Sequence, residues 1–240
     1  PDILWKEIIS DLFEDFMYFF MPDLAKQVDF SKGHQLLDKE LANIREKNHK
    51  DRRYADLLVK IWLKDGKEQW VLVHVEIQGY YEEHFAKRMF TYYYRIYDKY
   101  KKNITAIALF TEDKKGYKPS SYEYKFYGTG INYYYNVYKV LEQKEEELKK
   151  NDNPFALVVL AGLYTLKTQG ASVTKKEQRY KFKKTLIKIL REKGWPKEKI
   201  FNMFAFIDSI LALPEGLELD LTEKILDDED ENMGLTIEMT

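Results

Sequence analysis

The chain has 240 residues, of which 45% are hydrophobic and 33% charged, and its formal net charge is −1. It has no cysteine, which excludes disulfides and thiolate metal sites, and the longest apolar run near its start, residues 16–21, is too short to cross a bilayer. We therefore expect a globular cytoplasmic protein with one sizeable core, or a core and a smaller subdomain, and no membrane partner.

The first predicted element is a helix over residues 5–21, which Pro22 ends. Apolar residues at helical spacing form its buried stripe: Leu4, Ile8, Leu12, Phe16 and Phe19. A short second helix is indicated over residues 38–47.

Residues 54–78 predict a β-hairpin. Two β-rich runs flank residues 64–67, whose Asp-Gly pair is typical of a hairpin turn. Alternation puts Asp56 on one face of the first strand, and His74, Glu76 and Gln78 on one face of the second. The opposite face of each strand is cleanly apolar, so the hairpin carries acids in an otherwise apolar setting.

A helix follows over residues 82–102. Five residues at helical spacing form its predicted buried stripe: Phe85, Met89, Tyr93, Ile96 and Tyr100. Arg88, Tyr92 and Arg95 lie on a neighbouring face, where they could hold a phosphate or a base. An ordinary helix surface is the alternative interpretation of these three residues.

Beyond this helix, residues 104–110 predict a buried strand and residues 122–140 a second hairpin turned at residues 128–130. The pattern then becomes helical over residues 155–168, 176–194 and 196–214. We expect a core over about residues 1–150, a helical region over 151–214 that is packed on the core, extends it or binds a partner, and an acidic tail over 215–240 that is weakly structured from residue 226 onwards.

Charge is distributed unevenly along this chain. Residues 215–240 contain ten acids and one lysine, so residues 1–214 carry a net charge of +8. Residues 175–199 alone contain eleven Lys or Arg against three Glu. A basic body suits a nucleic-acid partner, because phosphate contacts supply most of the sequence-independent affinity. The alternative interpretation of this basic run is a solvated helix face, and the charge distribution taken alone favours that alternative.

Asp56 and Glu76 are the candidate metal ligands. An Asp on one strand and a Glu on the next can converge at one edge and supply two hard oxygen ligands of the kind that Mg²⁺ accepts, with the backbone carbonyl of Ile77 as a further ligand. Such an ion activates water and stabilises a pentavalent phosphate. The alternatives are a strand-edge acid paired with Arg53 or Lys60 for Asp56, and a sheet-edge ion pair for Glu76.

Residues 52–79 and 87–100 resemble the PD-(D/E)XK nuclease superfamily, and more closely its group of recombination-promoting nucleases and YhgA-like putative transposases. Residues 121–128, 151–161 and 204–215 also look like this group. The resemblance implies an α/β fold with a restriction-endonuclease-like mixed sheet flanked by helices and a mainly α-helical C-terminal region. It also implies Mg²⁺-dependent endonuclease cleavage of DNA, with Mn²⁺ as a substitute, in transposition or recombination.

The resemblance assigns Asp56 as the strand Asp and Glu76 as the acid of the (D/E)-x-K element, and it makes Gln78 the third catalytic residue. Gln78 stands where the superfamily has lysine, as is common in the YhgA-like group. A lysine adds a positive charge that stabilises the negative charge developing in the transition state. Gln offers only dipoles, through which it can orient a water or donate a hydrogen bond to a phosphate. Weak catalysis is therefore compatible with this sequence.

Two other functions stay open on the sequence alone. One is a catalytically weak or inactive DNA-binding module with a nuclease fold, and the other is a protein-interaction scaffold. The tyrosine clusters at residues 92–100 and 133–138 could stack on splayed bases, although Tyr more often packs in a core. A homodimer is a further expectation. The chain begins at Pro1, which fits a trimmed or partial protein.

Overall fold

A computed structural model describes residues 2–44, 55–76 and 84–230, and the side chains of residues 3–44, 57–71 and 84–224. Its strands are β1 (Gln35–Leu36), β2 (Ala55–Trp62), β3 (Glu68–Glu76), β4 (Ile104–Phe110), β5 (Ser121–Phe126), β6 (Thr129–Tyr134) and β7 (Asn136–Lys139). Its α-helices are α1 (Asp2–Asp11), α2 (Phe13–Phe20), α3 (Pro22–Ala25), α4 (Asp38–Ala42), α5 (Phe85–Tyr100), α6 (Glu145–Lys150), α7 (Pro154–Lys167), α8 (Val173–Glu192), α9 (Lys197–Ile210) and α10 (Glu215–Asp230). Short 3-10 helices cover Phe30–Lys32 and Val140–Glu142. The expected α/β class is confirmed.

The main sheet has five strands in the order β1-β2-β3-β4-β7. The predicted hairpin is confirmed: β2 pairs antiparallel with β3, and Gly66 at the turn has a φ of +85°. The helix α5 then carries the chain to β4, which pairs parallel with β3, and β7 pairs parallel with β4. The sheet is therefore mixed, as expected.

One side of the main sheet, here called the apolar face, includes Leu57, Val59, Ile61, Val71, Ile107 and Leu109. These residues share one buried cluster with residues of α1, α2, α7, α8 and α9. The centre of that cluster is α7, of whose 14 residues 12 are buried. The helices after residue 150 therefore belong to the same hydrophobic core as the sheet.

The other side of the sheet, here called the α5 face, includes Leu58, Trp70, Ala106, Ala108 and Phe110. Helix α5 packs on it through four buried residues: Phe85, Met89, Tyr92 and Ile96. The predicted stripe is wrong at one position, because Tyr92 is buried here and Tyr93 lies to the side against Tyr133, with ring centroids 4.7 Å apart.

The predicted first helix is interrupted at Leu12, whose backbone leaves the helical region with φ −111° and ψ 35°. Leu12 is buried, and the break lets both α1 and α2 pack on the core. Pro22 begins α3 at its first turn, where the missing N–H has no intrahelical partner to lose. The prediction of a single helix is therefore wrong at Leu12, whereas its expected end directly before Pro22 is confirmed.

The second hairpin forms a separate two-stranded sheet of β5 and β6. Its turn lies at Tyr127 and Gly128, which both have positive φ, 40° and 85°. This pattern is typical of a two-residue type I′ turn, whose twist matches the flanking strands. The predicted turn at residues 128–130 is thus displaced towards the chain start, and the predicted second arm divides into β6 and β7.

The acidic C-terminal segment forms the helix α10 as far as Asp230, so the expectation of weak structure is wrong over residues 226–230. The ammonium of Lys183, on α8, explains why the segment is ordered. It is 1% exposed and contacts Asp208 at 2.6 Å and Glu218 at 2.5 Å. Residues 231–240 lie outside the described residues. Among the described helices, none combines the length and apolar character that a membrane span requires.

Candidate functional site

The two predicted metal ligands occupy neighbouring strands at one end of the α5 face. Asp56 is the second residue of β2 and pairs with His74 on β3, and Glu76 is the last residue of β3. Paired residues of antiparallel strands share a face, as do residues two apart on one strand, so positions 56, 74 and 76 lie on the same face. Diagonal neighbours such as positions 56 and 76 are about 7–8 Å apart, a spacing at which two carboxylates can share one ion.

Three strands end together beside this pair. Glu76 is in register with Phe110, the last residue of β4, and Phe110 is in register with Lys139, the last residue of β7. All three strands run in the same direction, so their carboxyl ends form one edge, which we call the carboxyl edge. Ligand sites of open α/β sheets commonly lie outside such an edge.

The first turn of α5 covers the carboxyl edge. The rings of Phe85 and Phe110 are 5.1 Å apart, whereas Tyr100, at the other end of α5, contacts Trp70 at 5.0 Å. The helix therefore runs along the strands with its N-terminus at the edge that holds positions 56 and 76. The backbone N–H groups of a helix N-terminus favour negative charge, so this orientation suits a phosphate.

A buried ion pair lies at the carboxyl edge and was missed by the sequence analysis. The Lys139 ammonium contacts the Glu112 carboxylate, and each side chain is only 1% exposed. Glu112 also accepts a hydrogen bond from the backbone N–H of Lys114. Burial lowers the pKa of Lys139, and the Glu142 carboxylate opposes that effect. The available signal was an acid directly after a buried strand, but the pairing with a lysine 27 residues away is not visible in the sequence.

Arg88, Tyr92 and Arg95, the predicted substrate contacts, all lie on α5 and face inwards to different degrees. Arg88 and Tyr92 are 9% and 8% exposed. The Arg95 guanidinium donates to the backbone oxygen of Ile44 at 2.7 Å. Arg88, in the first turn of α5, is the one of the three nearest the carboxyl edge, and its guanidinium lies 5.3 Å from the ring of Phe85.

Tyr135 gives the Arg88 region a second polar group. Its side chain is 8% exposed, and its hydroxyl has no hydrogen-bond partner among the residues that the structure describes. Burial raises the pKa of this phenol well above its usual value, while the charge of Arg88 lowers it. The phenol therefore stays protonated, and its O–H is a donor beside a guanidinium.

The segment after β4 folds back over the carboxyl edge. The ring of Tyr117 contacts Phe110 at 5.7 Å, and the Lys114 ammonium lies 5.3 Å from the Tyr117 ring. Lys118 forms an ion pair with Glu142. This segment adds lysines to the edge, and the sequence analysis did not single them out.

Ile77 and Gln78, the other predicted site residues, lie outside the described residues. Among the side chains that are described, no cluster of three or more acidic or histidine groups is arranged to hold a metal ion. The strand positions 56 and 76, which the backbone register makes diagonal neighbours, remain the candidate positions for ligands of a hard cation.

Comparison with protein families gives one finding. Residues 3–110 match the family model described as "Putative transposase, YhgA-like". The matched region runs from α1 to the end of β4 and includes both Asp56 and Glu76. Neither the curated proteins nor the solved structures give a match. The family match agrees with the resemblance drawn from residues 52–79 and 87–100.

Proposed function

We propose that this chain, whose residues 3–110 match the family model of YhgA-like putative transposases, is a metal-dependent DNA endonuclease. The observation that carries the proposal is the register of the hairpin. It brings the positions of Asp56 and Glu76 to diagonal neighbours on one face, at the edge where three strands end. Two carboxylates in that relation form the smallest oxygen set that can hold a Mg²⁺ ion together with water and a substrate phosphate.

In this proposal Asp56 and Glu76 hold the ion, and the backbone carbonyl of Ile77 adds a ligand. Mg²⁺, or Mn²⁺ in its place, would lower the pKa of a bound water and stabilise charge on the phosphate. Gln78 orients the attacking water through its carbonyl oxygen or donates its amide to a phosphate oxygen. Because Gln adds no charge, the chemical step is expected to be slower than with lysine at this position.

Arg88, Tyr92 and Arg95 are the proposed DNA contacts. Arg88 is the strongest candidate, because the first turn of α5 lies over the carboxyl edge. Its guanidinium can donate two hydrogen bonds to one phosphate. Tyr92 and Arg95 lie one and two turns further along α5. Tyr92 is buried against the sheet and Arg95 donates to the Ile44 backbone oxygen, so both would have to turn outwards to contact phosphates away from the cleaved bond.

Cleavage of supercoiled plasmid tests the proposal. The purified native chain should nick or linearise plasmid with Mg²⁺ or Mn²⁺ and not in EDTA. Asp56→Ala should cut at least about 1000-fold more slowly, because loss of a ligand removes several kcal/mol of transition-state stabilisation. Asp23→Ala is the matched control, since Asp23 is an exposed residue of α3 paired only with Lys26 among its described neighbours. Equal cutting by Asp56→Ala and the native chain would contradict the site.

If the native chain does not cleave plasmid with either metal, the alternative function is favoured, a DNA-binding module with a nuclease fold. The specific reason to keep this alternative is Gln78, which replaces the superfamily lysine. In that case DNA binding should persist, with an affinity that falls steeply as salt rises.

A further inference from the structure

An exposed group of aromatic side chains extends from α5 onto the β5–β6 hairpin. On α5, Tyr94 and Tyr97 are 53% and 50% exposed. On the hairpin, Tyr124, Phe126 and Ile131 are 43%, 60% and 40% exposed. We call these five residues the aromatic platform. Exposed apolar patches of this kind mark binding surfaces more often than scattered single residues do.

The hairpin register explains why part of the platform is uncovered. Tyr122 pairs with Tyr133, Tyr124 with Ile131, and these two pairs lie on one face of the hairpin. The first pair packs on α5, because Tyr122 stacks on Phe90 with ring centroids 5.1 Å apart. The second pair lies two residues nearer the turn and leaves its side chains exposed.

Stacked rings connect the α5 part of the platform to the pair of hairpin residues that precedes its exposed part. Tyr94 stacks on Phe90 at 6.3 Å, and Phe90 stacks on Tyr122 of the hairpin. Tyr97 stacks on Tyr93 at 6.1 Å, and Tyr93 stacks on Tyr133 at 4.7 Å. Phe90 and Tyr93 therefore support the exposed rings of Tyr94 and Tyr97.

Lysines stand at both ends of the platform on α5. Lys87, Phe90, Tyr94, Tyr97 and Lys101 follow one another at intervals of three or four residues and therefore form one stripe. The stripe extends over about 20 Å at a rise of 1.5 Å per residue. The Lys101 ammonium lies 5.9 Å from the Tyr97 ring. As a whole, α5 carries two lysines and two arginines against one aspartate.

The stripe starts at the carboxyl edge. Lys87 is in the first turn of α5, beside Phe85, whose ring contacts Phe110 at the end of β4. The aromatic rings then lead away from that edge along the helix. A DNA strand held at Asp56 and Glu76 would therefore meet cation, aromatic rings and cation in succession.

We propose that the aromatic platform binds an unpaired DNA strand by stacking on its bases, which makes DNA with a single-stranded segment the substrate class. The inference rests on the proposed function for its choice of DNA. Aromatic rings stack on any exposed base, whereas bases inside a duplex are already stacked and cannot reach them. The flanking cations complement the phosphates.

Binding of a labelled oligothymidylate, measured by fluorescence anisotropy in EDTA, tests the platform without cleavage. The double variant Tyr94→Ala with Tyr97→Ala should bind at least about tenfold more weakly than the native chain, because two stacking rings are lost. The double variant Tyr94→Phe with Tyr97→Phe keeps both rings and should bind within about twofold of the native chain. Phe201→Ala is the matched control, since Phe201 on α9 is 63% exposed and lies outside the platform.

Native affinity of the double alanine variant for the oligothymidylate would overturn the proposal. A native dimer that this variant converts to a monomer in sedimentation would also overturn it, by making the platform an interface between copies. Exposed rings contribute little to folding, and equal urea midpoints would show that the variant is folded. The outcome is separate from the nuclease proposal. If the nuclease proposal fails, the native chain will not cut plasmid in a metal-dependent way. If the platform proposal fails, the double alanine variant will bind the strand in EDTA as tightly as the native chain does.

Discussion

The two faces of the main sheet differ in what they bury. On the apolar face, the packed side chains from the strands and from α7 are almost entirely hydrocarbon. The carboxyl edge and the α5 that covers it instead hold four of the six buried polar or charged residues among the described side chains: Arg88, Thr111, Glu112 and Lys139. Burying charge costs free energy, so stability alone favours the first arrangement. The comparison teaches that the apolar face stabilises the chain and that the carboxyl edge is the place to look for chemistry.

The largest expected effect on stability comes from breaking the buried pair at the carboxyl edge. Lys139→Met leaves the Glu112 carboxylate buried without its cation, and we expect a loss of about 3–5 kcal/mol in the free energy of unfolding. Urea denaturation at neutral pH measures it. Lys118→Met is the matched control, because Lys118 and Glu142 are 50% and 39% exposed and such a pair contributes about 1 kcal/mol or less. Equal losses in the two variants would remove the distinction between buried and exposed pairs at this edge.

A smaller effect on the free energy of unfolding is expected from a change at Glu145, where the helices of the apolar-face core meet solvent. Burial raises the pKa of Glu145, but hydrogen bonds from Lys149, Lys167 and Tyr164 outweigh it and lower the pKa to about 2. The folded pKa lies below the ordinary value of 4.5, so this stabilisation is present above about pH 4.5 and is lost as the pH falls towards 2.

Glu145→Gln should therefore lower the free energy of unfolding by about 2 kcal/mol at pH 7, a figure reduced for the partial exposure of Glu145. The difference from the native chain should shrink as the pH falls from 4.5 towards 2. Urea denaturation across that range measures it, and a difference independent of pH would show that the effect is not electrostatic.

The smallest expected effect on stability tests whether the apolar-face core is closely packed. A Cβ at Gly162 on α7 would lie 2.8 Å from Trp5, whose ring is buried and also packs against Phe206 at 5.2 Å. We expect Gly162→Ala to cost about 1 kcal/mol after the gain in helix propensity, measured by thermal or urea unfolding. Gly216→Ala on α10 meets no atom within 4 Å and should not destabilise the chain. A stabilising Gly162→Ala would show that the contact with Trp5 relaxes easily.

Local patterns predicted much of the fold. The β2–β3 hairpin, the strand β4 and the helices α5, α7, α8 and α9 follow from alternation, helical spacing and capping residues. The break at Leu12 did not follow, because the apolar spacing that predicts one helix continues through it without interruption. The start of α10 is held by Lys183 on α8, a contact across the fold that no local pattern reports, and the helix continues from there into residues 226–230, which were expected to be weakly structured.

The candidate site was predictable only in part, for a similar reason. Asp56 and Glu76 were visible as polar residues in alternating strands, and their relation follows from the hairpin turn between them. Glu112 and Lys139 meet because β7 pairs parallel with β4, and parallel pairing joins distant segments that no local pattern reports. The exposed hairpin face likewise depends on where β6 ends and β7 leaves for the main sheet.

The central claim is that the carboxyl edge holds a metal ion. Mn²⁺ binding by variants at the two ends of β3 tests this claim most directly. Glu76 ends the strand at the carboxyl edge, whereas Glu68 begins it and pairs with Lys102 at 2.9 Å. Isothermal titration of Mn²⁺ should find a site in the native chain and in Glu68→Ala, and at least about tenfold weaker binding in Glu76→Ala, because a carboxylate ligand is lost. Native affinity for Mn²⁺ in Glu76→Ala would contradict a metal site at the carboxyl edge.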